Sequence, residues 1–263
     1  ARLSRAKVRV FPHGDLDSLD QILRECASTP GRTLLAVDGV YSMDGDLAPL
    51  GPMVESAKRN GAMVLLDDAH GTGTLGPAGR GCAEHLGVDA GVDVIVGTLG
   101  KSIGSFGAFA AGTAILRDLL VNVARSFIFS CALSPPQVAA SRAALTLIER
   151  EPWRRWCLQR NAAHLRSRLA VAGISTEPSC THIVPVVIGD NETTMLTCEQ
   201  LLEDGFYAQG IRHPSVPHGT ARLRITPMAT HSEAEIDALA DRLVERLGAG
   251  RAADPASRLS ATG

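Results

Sequence analysis

Met63-Val64-Leu65-Leu66-Asp67-Asp68-Ala69-His70-Gly71-Thr72-Gly73 is the stretch that decides the fold. Its apolar run, bounded by polar groups and glycine, has the length of a buried strand. A second such run, Val94-Ile95-Val96, leads into Gly97-Thr98-Leu99-Gly100-Lys101-Ser102-Ile103-Gly104. Both deliver polar side chains at their carboxyl ends, the edge at which open α/β sheets bind ligands. An acid and an imidazole at one strand end, and a lysine among glycines at the next, suit a covalently held carbonyl cofactor whose ring nitrogen and phenolic oxygen are both attended. A metal site on Asp67, Asp68 and His70 is the rival, although no further histidine stands at the short spacing that zinc sites show.

Outward from this stretch, residues 33–37 predict another buried strand, which brings residues 38–46 to the same edge. Residues 15–26 read as a helix, with Leu16, Leu19, Ile22 and Leu23 on one face behind Asp15 or Asp17 as cap. Residues 52–60 read as a second, started by a proline and stopped by Gly61. Residues 5–11 alternate polar and apolar and predict a strand with one wet face. Further on, the pattern predicts a strand at 106–111, a helix at 114–125, a short strand at 127–130 and a long helix opened by Ser134-Pro135-Pro136 and ended at Glu151-Pro152. Strands alternating with helices across short connections argue for an α/β fold, a mostly parallel sheet with helices on both faces.

After Pro152 the rhythm changes. A helix at 154–172 closed by Gly173, strands at 182–188, 206–211 and 222–225, and a helix at 194–202 precede a last helix with a capping box, Ser232 with Glu235. That order predicts a smaller C-terminal α+β domain. The expected division is 1–150 for the large domain, 151–247 for the smaller one and 248–263 for a disordered tail rich in Gly, Ala, Ser, Asp and Pro.

With 263 residues, 45% of them hydrophobic, the chain can bury a sizeable core. A net charge of -2 without single-sign blocks gives no electrostatic reason to expect nucleic acid or an anionic membrane as partner. No apolar run approaches the roughly 20 residues needed to span a bilayer, which leads to an expected cytoplasmic location. Cys26, Cys82, Cys131, Cys157, Cys180 and Cys198 show no C-x-x-C pairing and are expected as reduced thiols. Lysine occurs only at Lys7, Lys58 and Lys101, so few residues compete for a Schiff-base role.

Lys101 stands among Gly100, Gly104 and Gly107, where backbone and ligand can approach closely and partial burial would favour the free amine. Asp67 would be costly to desolvate without a cationic partner. A protonated pyridine nitrogen is one: at roughly 4 Å and an effective dielectric near 20, the pair gains on the order of 4 kcal/mol. Asp68 points the other way, toward a helix cap or salt bridge. Ser42 and Thr98 are candidate hydroxyl partners of a phosphate or phenolic oxygen. Arg222 and Arg224 share a face of their strand; either could fork onto a carboxylate, while taken alone both read as the solvated face of an edge strand. Arg212 carries the same ambiguity.

Four motifs, Val37-Asp38-Gly39-Val40-Tyr41-Ser42-Met43-Asp44-Gly45-Asp46, Asp67 through Gly73, Gly97-Thr98-Leu99-Gly100-Lys101, and Val216-Pro217-His218-Gly219-Thr220-Ala221-Arg222-Leu223-Arg224, closely resemble the α-oxoamine synthases. These are pyridoxal 5'-phosphate (PLP) enzymes of the aspartate-aminotransferase-like fold type I. The resemblance implies Lys101 as the Schiff-base lysine and general base, Asp67 on the pyridine nitrogen, His70 on the phenolic oxygen with Ser42 nearby, and Thr98 on the phosphate. Arg224 would grip the carboxylate of the amino-acid substrate, and Arg212 is a further substrate contact. Ser130 and Cys131 stand where the family carries a Ser/Thr pair that reaches the phosphate of the neighbouring subunit, and a thiol donates poorly there. The implied partners are an amino acid and an acyl-CoA or acyl carrier protein, in a homodimer with its site at the interface. The details look most like the member that joins L-alanine to a pimeloyl thioester. Family members begin well over a hundred residues earlier, so the chain is expected to match their carboxyl-terminal two thirds.

Overall fold

A computed structural model describes residues 2–253. The described residues form two compact units, residues 2–41 with 47–152, and residues 42–46 with 153–253. The short segment 42–46 is a departure from the expected 1–150 domain. Its backbone and side chains bond to the second unit, through Gly45 O with Thr181 and through Asp44 with Arg222.

The first unit begins with α1 (Leu16–Ala27), capped by Asp15, whose carboxylate accepts the Ser18 N–H at 3.0 Å. Leu19 and Leu23 are its buried residues, and each contributes roughly 1.5–3 kcal/mol by leaving water. β1 (Leu34–Asp38), α2 (Leu50–Arg59) and β2 (Met63–Asp67) follow, then a short α3 (Cys82–Leu86), β3 (Val94–Thr98) and β4 (Ala108–Gly112). The strands form one four-stranded sheet in the order β1-β2-β3-β4, with the first three parallel and β4 antiparallel to β3. Leu35, Val37, Val64 and Leu66 lie on the buried face with Leu50, Met53 and Ala57 of α2 in the core. The opposite face holds Leu34, Met63, Asp38 and Asp67 and is more open. Three more helices complete the unit: α4 (Ala114–Val123), α5 (Arg125–Ile128) and α6 (Pro135–Arg150).

In the second unit, β5 (Val184–Gly189), β6 (Gln209–Ile211) and β7 (Ala221–Ile225) make an antiparallel sheet in the order β5-β7-β6. Helices α7 (Trp153–Val171) and α8 (Asn191–Glu203) pack on it, and α9 (Glu233–Ala253) packs against both of them. Ala162, Leu165 and Leu169, Val184 and Val186, Leu223 and Ile225, and Ile236 and Leu243 form its core. The Ser232–Glu235 capping box closes as the spacing requires, with Ser232 N donating to Glu235 Oε2 at 2.7 Å.

Three local expectations are corrected. Residues 5–11 form no strand: no neighbour among the described residues pairs with them, and Val8 and Val10 are exposed. Residues 127–130 are not a strand either. Arg125 to Ile128 is helical, which brings the Arg125 guanidinium to 5.1 Å from the ring of Phe129, four residues on. Finally, α9 runs through Gly248 to Ala253, past the point where the expected tail begins. Residues 254–263 of the expected tail lie outside the described residues. No disulfide forms among the described cysteines. Among the described residues no helix is long and apolar enough to cross a membrane.

Candidate active site

Parallel pairing of β1, β2 and β3 brings three chain reversals to one sheet edge. Asp38 and Asp67 are register partners at the ends of β1 and β2. Asp67 Oδ1 accepts the Ala69 N–H at 3.0 Å, which begins the turn toward His70. Burial, then the charge of Asp67, pushes the Asp38 carboxyl above its usual value, and Lys101 partly offsets both. Asp38, Asp67 and Lys101 thus share one electrostatic neighbourhood, and Asp38 is a member that the sequence reading did not single out.

Asp68 turns inward and is fully buried. Its Oδ1 accepts the Cys82 N–H at 3.0 Å, the first of α3, and its Oδ2 accepts the Thr72 hydroxyl at 2.9 Å. Burial raises its pKa while these bonds work against the shift. The carboxylate occupies the space that side chains at Gly71 and Gly81 would need: a Cβ there would stand 2.1 and 1.6 Å from its oxygens. The buried acid therefore fixes the loop that carries His70.

His70 Nε2 lies 2.9 Å from Lys101 Nζ. Two loops make that distance. The Lys101 loop is folded by Leu99 N on Gly107 O at 2.8 Å and Gly104 N on Lys101 O at 2.9 Å, with Gly104 at φ +64°. Ser102 Oγ then donates to Thr72 O at 2.6 Å and ties this loop to the one after His70. Lys101 is exposed rather than partly buried. Thr98 Oγ1 spans its own turn, donating to Gly107 O at 3.3 Å and accepting from Gly100 N at 3.2 Å.

The second unit gathers a separate group. β7 is the central strand of its sheet, so Arg222 and Arg224 are not on a solvated edge. Arg222, 6% exposed, donates to Asp44 Oδ1 at 2.5 Å and to the carbonyls of Thr220 and Met43. Arg224 is half-buried, and burial lowers its pKa. Its Nε donates to Ser42 O at 2.6 Å, and among the described residues it has no carboxylate partner. His182, just before β5, feels the charge of Arg224 and is held neutral, its pKa lowered to about 4 by burial first and that charge second. Sequence reading missed His182 and Asp44. A polar residue entering the apolar run 183–188 was a signal for the first; nothing local marked the second.

The remaining candidates make no hydrogen bond to these groups among the described residues. Arg212 is exposed and its Nη1 meets Met195 Sδ at 3.1 Å. Ser130 Oγ donates to Phe127 O at 3.1 Å, and Cys131 is exposed. The described groups able to hold a metal by ligand geometry are His164, Glu233 and Asp237, not Asp67, Asp68 and His70.

The family model for class I and II aminotransferases matches residues 1–243. The 8-amino-7-oxononanoate synthase of Citrifermentans bemidjiense is 49% identical over 250 residues, which are 94% of this chain and 64% of that protein. Among solved structures, Sphingomonas wittichii serine palmitoyltransferase superimposes with a TM-score of 0.88 at 33% identity, over 94% of this chain and 62% of that one. An 8-amino-7-oxononanoate synthase from Francisella tularensis, at 22% identity, shares the fold with a TM-score of 0.81 over 95% of this chain and 71% of its own. The chain spans 64% of the length of the Citrifermentans relative. A matching family model over nearly the whole chain, and a lysine, imidazole and carboxylate at the carboxyl edge of a mostly parallel sheet, lead to one conclusion: the chain belongs to the class I and II aminotransferase family, whose enzymes depend on pyridoxal 5'-phosphate.

Proposed function

We propose that the chain acts as an α-oxoamine synthase that joins L-alanine to a pimeloyl thioester, on coenzyme A or a carrier protein, with loss of carbon dioxide to give 8-amino-7-oxononanoate. The observation that carries this reading is the 2.9 Å contact between Lys101 Nζ and His70 Nε2 beside Asp67. The 49% identical relative of that name supports the choice of substrates.

The donor set fits pyridoxal phosphate. Asp67 supplies the anion for a protonated ring nitrogen, His70 a partner for the phenolic oxygen, and Thr98, Ser42, Ser130 and Cys131 candidate donors to the remaining oxygens. When bound, the cofactor supplies a carbonyl for covalent attachment and an electron sink for charge left on the amino acid's α-carbon. Lys101 forms that attachment, and its amine is the base that moves the α-proton. His70 orients the amine. Arg224, with no carboxylate partner among the described residues, holds that of alanine, and Arg212 is a further substrate contact. A homodimer with Ser130 and Cys131 serving the neighbouring copy, and a cytoplasmic setting, belong to the same reading.

The test is spectroscopic first. Added PLP is expected to give the absorbance of a lysine-bound cofactor, lost in Lys101→Ala; no such band, or one unchanged in that variant, sinks the reading. Product analysis with alanine, glycine and serine against acyl-CoAs of several lengths then identifies the substrates. A serine preference would favour the sister reading that the 33% identical serine palmitoyltransferase suggests.

A further inference from the structure

Helices α7 and α9 of the second unit meet along a polar seam. On α7, Asn161, His164 and Arg168 recur at i, i+3 and i+7; on α9, Glu233, Asp237 and Asp241 recur at i, i+4 and i+8, so each set lies on one face of its helix. Leu165 and Ile236, the sequence neighbours of His164 and Asp237, are buried in the core and fix the backbone beneath both. Asn161, itself buried, donates from Nδ2 to Met228 O at 2.9 Å and to His231 O at 2.8 Å, which ties α7 to the turn before α9. At the other end of the seam Arg168 bonds Asp237 Oδ1, and Asp241 Oδ1 at 2.6 Å. His164 sits between these two ties, with its Nε2 2.8 Å from Asp237 Oδ1.

The donors define what the seam can hold. His164, Glu233 and Asp237 each offer one ligand atom, and these atoms lie within 4.8 Å of one another. Metal–ligand bonds of about 2.0–2.2 Å place tetrahedral neighbours about 3.4 Å apart. The His164–Asp237 pair is already inside that spacing, and Glu233, exposed at the start of α9, reaches it by rotating its side chain. Arg168 does not fill the place: it takes Asp237 and Asp241, and Glu233 has no hydrogen bond or ion pair with a described residue. The imidazole separates this set from a patch of surface acids. Oxygen ligands alone suit Mg2+ or Ca2+, whereas a nitrogen beside two carboxylates suits zinc and its first-row neighbours.

We propose that His164, Glu233 and Asp237 bind a divalent first-row transition metal, Zn2+ being its type, and that the ion clamps α7 to α9. His164 gives the Nε2 lone pair, with its ring proton on Nδ1; Glu233 and Asp237 give one oxygen each, and water completes the tetrahedron. Arg168 keeps Asp241 as its counter-ion and stays beside Asp237 as the positive partner of a ligating carboxylate. The consequence is a folded unit whose stability rises with the concentration of the free ion, because the unfolded chain does not hold the three ligands together.

The full chain, freed of metal by chelation and dialysis, tests this in two ways. In the unmodified protein, one equivalent of Zn2+ is expected to shift the His164 side-chain signals in 1H–15N spectra of labelled histidine, identified by their loss in His164→Gln, and to raise the melting temperature. Mg2+ at the same concentration is expected to do neither. His164 signals unmoved by Zn2+ overturn the proposal, and so does an equal response to Mg2+, which would mark an ordinary acidic surface. In the second, Zn2+ dissociation constants from calorimetry are compared for the native chain, His164→Gln, Asp237→Asn and Glu233→Gln. Loss of His164 or Asp237 is expected to weaken binding at least about tenfold, the lower end of what disturbing even a ligand's outer partner costs. The exposed thiols of Cys131 and Cys180 can take up Zn2+ elsewhere. Binding that all three variants leave unchanged belongs to such groups and overturns this site.

Discussion

Asp68 and His182 are both enclosed titratable groups, and their effects on stability run in opposite directions with pH. The folded pKa of Asp68 lies above its unfolded value, so its charge penalises the fold as pH rises through the acid range. Removing the charge while keeping the bonds is therefore mild: Asp68→Asn still accepts from Cys82 N. Asp68→Ala instead leaves that buried N–H without a partner and is expected to cost about 1–3 kcal/mol in urea unfolding. For His182 the folded pKa, about 4, lies below the unfolded 6.5. Above 6.5 the ring is neutral in both states and contributes nothing. As pH falls from 6.5 to 4 only the unfolded chain takes up the proton, and about 3 kcal/mol of stability is lost. Unfolding curves between those pH values should thus be steeper for the native chain than for His182→Leu, and equal slopes would refute the buried neutral ring.

Among the elements, the loop from His70 to α3 and the turn that carries Lys101 are both built on glycines at positive φ, but with different tolerance. At Gly81, φ is +104° and a Cβ would meet Asp68 Oδ2 at 1.6 Å. At Gly104, φ is +64° and nothing lies within 4 Å of the added atom. Gly81→Ala must displace a buried carboxylate and should lose about 3 kcal/mol or more, with the loop around His70 disturbed. Gly104→Ala pays only the left-handed backbone cost, about 1–2 kcal/mol. Denaturant midpoints of the two variants measure the difference, and a Gly81→Ala protein as stable as Gly104→Ala would contradict the role given to Asp68. These elements also show what a sequence can and cannot announce. Residues 63–66 and 94–96 are legible as strands because their apolar runs are short and end in polar groups. Residues 127–130 offer an equally apolar run, yet it ends a short helix and turns, because a strand is decided by a partner that local pattern does not contain. Residues 5–11 fail as a strand for the same reason.

At the scale of the molecule, the parallel sheet and the later α+β unit were legible from alternation and caps, and so were the residues at the strand ends. What was not legible is long-range: that Asp38 pairs in register with Asp67, that His182 enters the neighbourhood of Arg224, and that residues 42–46 join the second unit. The last of these has a mechanical consequence. Arg222 is buried and its carboxylate partner is Asp44, 178 residues away in the chain. Asp44→Asn removes the charge that balances a guanidinium unable to lose its proton. Because Asp44 itself is 37% exposed, solvent screens part of the pair, and the expected loss is about 1–3 kcal/mol rather than the larger figure for a fully enclosed pair. Asp44→Asn combined with Arg222→Met should recover much of that loss, since the double variant leaves no unbalanced charge. Hydrogen exchange at the Cys180 and Thr181 amides, both bonded to Gly45 O, reports whether segment 42–46 has come away. Faster exchange in the single variant and restored protection in the double one would assign the anchoring to charge balance. Equal exchange in the native chain and Asp44→Asn would assign it to the Gly45 carbonyl and the packing around Ile183 instead.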